Sequence, residues 1–172
     1  GEVEKLLQEL IRIPSVNPYF DEDKQYMQEG KAQAYLKEYL EDMGMDTELT
    51  YPDAGKLVAY KDKAGYYADH TFEDRPNLLG TLKGEGGGRS ILLSGHMDVV
   101  QRGNKWVHDP FGAEIVDGKI YGRGALDMKG GIAAMTVALK AISRSGIKLK
   151  GDAMIGTVVD EEAGGMGTLA LV

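Results

Sequence analysis

The sequence predicts an α/β fold, a layered sheet with helices on both faces, on two observations. Short apolar or β-branched runs recur between segments of helical periodicity, and acids or a histidine stand where two of those runs end. With 172 residues and 42% apolar content, the chain is long enough for one domain with a real core.

Val3, Leu6, Leu7, Leu10 and Ile11 define an amphipathic helix that must end by Pro14, which makes IPSVNP a loop. A second helix is expected from about Gln25 to Met43, with Leu36, Tyr39, Leu40 and Met43 on one face and Gly44 as its stop. Four β-like runs follow: MDTELTY, KLVAYK, NLLGTLKG and SILLSGH, the last two separated by the glycine-rich turn GEGGGR. AEIVDGKIYG reads as a hairpin turning at Asp117-Gly118. MKGGIAAMTVALKAIS places Ile132, Met135, Leu139 and Ile142 at helical spacing with hardly a charge, so a nearly buried helix is expected, ended by Gly146. DAMIGTVVDEE is an apolar strand delivering acids at its C-terminal end, and GTLALV starts another helix.

Lys and Arg number 20 against 27 Asp and Glu, and the net charge of -7 with no dense basic cluster argues against nucleic-acid or anionic-membrane partners. The absence of cysteine excludes disulfides and thiolate metal sites, leaving His and carboxylates to hold any metal. The N-terminus lacks the basic start and apolar run of a signal peptide, and no stretch approaches the ~20 apolar residues of a membrane span. A soluble, cytoplasmic protein is expected.

Three places carry chemistry. His96 and Asp98, two apart at the end of ILLSG, would share a face if the strand continued, so the imidazole could bind a metal while Asp98 accepts its other N–H; the alternative is a histidine in an ordinary polar network. Asp127 precedes the buried helix, where capping that helix is its competing role. Glu161 and Glu162 follow a strand, and adjacent side chains on an extended chain point to opposite sides, one toward a metal and its neighbour over a metal-bound water; solvated loop acids are the plainer reading. GRGALD has Asp127 where a dinucleotide fingerprint needs glycine. No phosphate-binding GxxxxGK[ST] or GxSxG elbow exists.

Taken in order, SGHMDVV, W-VHDPF, GKIYGRGALDMKGG and DEE with GG-GT resemble the zinc-dependent family of acetylornithine deacetylase, succinyl-diaminopimelate desuccinylase, aminoacylases and glutamate carboxypeptidases. The resemblance runs from the first helix through Gly167 and implies a zinc-exopeptidase-like sheet. It assigns His96, Asp127 and Glu162 as zinc ligands, with Asp127 bridging two ions, and Asp98 and Glu161 as catalytic residues, the first supporting the ligand histidine and the second acting as general base. A cis Asp127–Met128 bond is also implied. Two zinc ions, with cobalt or manganese as alternatives, would sit roughly 3.5–4 Å apart and activate a shared water for hydrolysis of an N-acyl amino acid or small peptide.

The resemblance also implies a further acidic ligand, a second histidine and a lid domain that supplies homodimer contacts, none of which this sequence contains. His70 and His108 are expected at the surface or behind the site, not on metal. Residues 1–172 therefore read as the N-terminal part of a metal-binding catalytic domain, truncated before the lid and with little or no activity alone. The rival reading is a non-catalytic α/β binding module or a degenerate relative of the family.

Overall fold

The computed structural model describes residues 1–20 and 22–172. Helix α1, Glu2–Arg12, buries the predicted stripe of Leu6, Leu7, Leu10 and Ile11, and the chain turns extended at Ile13 before Pro14. Its free carbonyl end is closed from a distance, because the fully buried Lys129 Nζ donates to Leu10 O (2.7 Å) and Ile13 O (2.9 Å).

The second helix, α2, spans Glu29–Glu41 and starts later than its periodicity suggests. Asp23 accepts from the Gln25 amide and closes a separate 3₁₀ turn over Lys24–Tyr26. Gly44 adopts the expected left-handed conformation with φ of 78°.

Strands β1 (Asp46–Thr50), β2 (Asn77–Leu82) and β3 (Ile91–His96) lie where expected. KLVAYK is not a strand: Ala54–Leu57 form a short helix, α3, followed by a 3₁₀ turn at Val58–Tyr60. Asp53 accepts from the amides of Gly55 and Lys56, and this cap starts the helix before Val58 can pair in a strand. Leu57 alone is buried there, whereas Val58 and Tyr60 face outward, so the two-residue alternation of a strand was illusory.

The hairpin is β4 (Glu114–Val116) and β5 (Lys119–Tyr121), with Asp117 at φ 48° and Gly118 at φ 74° as the primed turn requires. Helix α4 covers Gly130–Arg144, strand β6 covers Ala153–Val158, and helix α5 covers Met166–Leu171. Helix α4 is buried on one face only: Ile132, Ala133, Thr136 and Leu139 are inside, while Ala134, Ala138 and Ala141 face out.

The main sheet has the order β1-β2-β6-β3, with β1, β2 and β6 antiparallel and β3 parallel to β6. Although GEGGGR joins β2 to β3 in sequence, β6 lies between them. Helices cover both faces, as two glycines on opposite faces show. A Cβ at Gly80 would lie 2.7 Å from Leu40 of α2, and one at Gly156 would lie 2.8 Å from Leu171 of α5. The core forms on the first of these faces, where α1, α2 and α4 pack Leu10, Leu36, Leu40 and Ile132 over Leu78 and Ile155. No described helix is long and apolar enough to cross a membrane.

Candidate metal centre

Parallel neighbours end on the same side of a sheet, and the register that sets His96 of β3 opposite Val158 of β6 brings two chemical segments together. The turn carrying Asp160, Glu161 and Glu162 follows β6 directly. Asp127 arrives from the segment ahead of α4 and places Oδ1 3.0 Å from His96 Nε2. One donor atom each from His96, Asp127 and Glu162 lies within 4.8 Å of the others, a spacing that could hold a metal ion. Asp127 is not spent on capping, since α4 has no side-chain cap and the carboxylate is 76% exposed. The Asp127–Met128 bond is cis.

His96 Nδ1 lies 2.9 Å from the main-chain oxygen of Asp98 and 3.6 Å from its carboxylate. The nearest partner of the second ring nitrogen is therefore a carbonyl, which fixes the proton on Nδ1 and turns Nε2 toward Asp127. Strand β3 ends at His96, so the continued strand that would have put the two side chains on one face does not form. The Asp98 carboxylate instead accepts from Asn17 Nδ2 (2.8 Å) and from the amides of Glu161 (3.1 Å) and Glu162 (3.0 Å). Burial would raise the Asp98 carboxyl, but its contacts to His96, Asn17 and the Glu162 amide outweigh that and hold it below the ordinary range.

Burial also works against the His96 imidazolium, yet Asp98 and Asp127 beside it raise its pKa to about 9. The Glu162 carboxyl is pushed up, first by burial and then by Asp98, Asp127 and Glu161, with His96 opposing. Carboxylates crowded around one imidazole in this way are what a bound cation would relieve.

The acid pair lies in a turn and not on an extended chain, so its two side chains do not diverge. Glu162 joins the cluster, and Glu161 Oε2 also comes to 3.8 Å from His96 Nε2.

Behind the pair is a buried polar network that the sequence did not disclose. Asp160, at φ 67°, bonds His70 Nδ1 (2.8 Å), Arg75 Nη2 (3.1 Å) and Asn17 Nδ2 (3.3 Å), and Arg75 also grips Glu29. Burial lifts the Glu29 carboxyl to about 7 against the pull of Arg75. His70 is thus not at the surface but stacked on Tyr19 with ring centroids 3.5 Å apart, and it does not reach the cluster. His108 is also outside it, 3.0 Å from Glu114. Only the loop IPSVNP hinted at Asn17, and nothing local marked Glu29 or Arg75 as more than surface charges.

Residues 92–172 match Peptidase family M20/M25/M40. That segment belongs to this family. The chain is 38% identical over 119 residues to an N-formyl-4-amino-5-aminomethyl-2-methylpyrimidine deformylase of Bacillus subtilis, covering 66% of this chain and 28% of that protein. It is 34% identical over 160 residues to a succinyl-diaminopimelate desuccinylase of Methylobacterium radiotolerans, covering 92% and 34% respectively. Its fold matches human carnosine dipeptidase 1 with a TM-score of 0.74 and 26% identity over 99% of this chain and 33% of that one. The chain spans about a third of the length of the curated relatives it matches. The family is the one its motifs resemble, and the α/β architecture agrees.

Proposed function

We propose that residues 1–172 form the N-terminal, metal-binding part of a hydrolase that cleaves the amide bond of N-acyl amino acids or small peptides. The observation that carries this reading is the convergence of His96, Asp127 and Glu162 within 4.8 Å, with Glu161 beside them. One imidazole with carboxylates and no thiolate is a donor set that suits zinc, with cobalt or manganese as substitutes. The names of the similar proteins agree, since a deformylase, a desuccinylase and a dipeptidase all separate an acyl group from nitrogen.

In this reading Asp127, together with His96 and Glu162, would hold the metal. A metal bound there supplies Lewis acidity, lowering the pKa of a water and polarising the scissile carbonyl. Glu161 takes the proton of the attacking water and delivers it to the departing amine. Its carboxylate makes no hydrogen bond among the described residues and is about half exposed, so it is available for transfer. Asp98 accepts the amides of both glutamates and thereby fixes where base and ligand stand.

Two ions sharing three side chains are short of the usual three protein ligands each, so turnover by this chain alone is expected to be slow. The test is amine release from N-acetyl, N-formyl and N-succinyl amino acids and dipeptides by the zinc-loaded chain. Slow release is expected that chelation abolishes and that Glu161→Gln removes while zinc stays bound. Release that survives either treatment, or robust turnover by the chain alone, contradicts the reading.

A further inference from the structure

A cavity of about 480 Å³ is lined in part by Arg102, Lys105, Trp106, Tyr121 and Arg123 and by no carboxylate. It adjoins a smaller cavity of about 320 Å³ whose wall includes Asp127 and Glu162, and Arg123 belongs to both. In a chain of net charge -7, three cations around one hollow run against the overall balance.

Arg102 is partly neutralised by Glu22 at 3.7 Å. Among the described residues, neither Lys105 nor Arg123 pairs with a carboxylate. Arg123 is nevertheless held in place. Its Nη2 donates to Arg102 O (3.1 Å), its guanidinium lies 5.3 Å from the centre of the Trp106 ring, and Trp106 Nε1 donates to the same Arg102 oxygen (2.7 Å). The rest of its fork makes no hydrogen bond among the described residues. A fixed, unpaired guanidinium is prepared for a planar anion, because little freedom remains to be lost on binding.

We propose that Arg123 and Lys105, against the face of Trp106, form a carboxylate-binding subsite that orients the substrate beside the metal centre. The proposal rests on the amidohydrolase reading for its ligand class. In an N-acyl amino acid the carboxylate is one carbon away from the amide nitrogen, and Arg123 lines the cavities on both sides of that short span. Val107, 91% exposed at the same hollow, offers apolar surface to the amino-acid side chain.

Trp106 is the only tryptophan in the chain, so its fluorescence reports on this cavity alone. The chain, without added metal and at low ionic strength, is titrated with N-acetylglycine and separately with N-acetylglycinamide, which lacks the charge. A saturable change is expected with the acid and not with the amide. Arg123→Gln should weaken it about tenfold or more, and Lys105→Gln, in an exposed loop, by a smaller factor. Far-UV circular dichroism establishes that each variant is folded. No saturation, equal response to the amide, or an unchanged affinity in Lys105→Gln overturns the subsite. Because no metal is present, none of these outcomes depends on the metal centre.

Discussion

Replacing Arg75 by methionine removes the one guanidinium that stands between two buried carboxylates. Arg75 bonds Glu29 through Nε and Nη2 and Asp160 through Nη2, while Nη1 donates to Thr71 O (2.8 Å). Glu29 is 2% exposed and Asp160 0%, so neither carboxylate can recover its lost partner from water. Breaking a buried pair from one side costs about 3–5 kcal/mol, a large share of the ~5–15 kcal/mol that holds a domain folded. With a urea m-value of about 2 kcal/mol per molar, the unfolding midpoint should fall by about 2 M.

The loss should also depend on pH. The Glu29 carboxyl sits at about 7 in the folded chain against 4.5 ordinarily, so between those values the folded state holds a proton that the unfolded chain has released. Stability from this group is therefore greatest at low pH and declines as pH rises through that window. Without Arg75 to favour the carboxylate, the window widens upward, and the deficit of the variant should be larger at about pH 8 than at about pH 5.5. Urea titrations at both values, followed by Trp106 fluorescence and circular dichroism, measure this. A loss below about 1 kcal/mol, or a deficit that grows on acidification, would refute the reasoning.

Asp98→Ala should lower zinc affinity about 10–100-fold while leaving the chain folded, because both glutamate amides and Asn17 lose their common acceptor; equilibrium dialysis against a zinc buffer measures it, and an unchanged affinity counts against the positioning role. Leu10→Ala, at a residue with no exposed surface in the core under α1, should cost about 2–5 kcal/mol in urea unfolding. Gly156→Val should destabilise by about 1–3 kcal/mol by driving its side chain into Leu171, and the loss should shrink when Leu171→Ala makes room.

The legible parts of this chain were those in which one element carries its own signal. Helix α1 and the β4–β5 hairpin follow from periodicity and turn chemistry alone, and His96, Asp127 and Glu162 meet as their motifs imply. KLVAYK misled because an Asp53 cap started a helix over a short apolar run that only looked like a strand. The role of Asp98 could not be read from HxD spacing, since β3 stops at His96 and the carboxylate turns to amides 63 and 64 positions away. The network of Glu29, Arg75, Asp160 and His70 was hidden for the same reason: its members become partners only when α2 and the loop after α3 close over the end of β6.

The convergence of His96, Asp127 and Glu162 into one metal-binding centre is tested most directly by isothermal titration of the chain with zinc. Saturable binding is expected, lost in His96→Ala and in Glu162→Gln and retained in Glu161→Gln. Zinc bound no more tightly by the native chain than by the His96 variant would contradict the account.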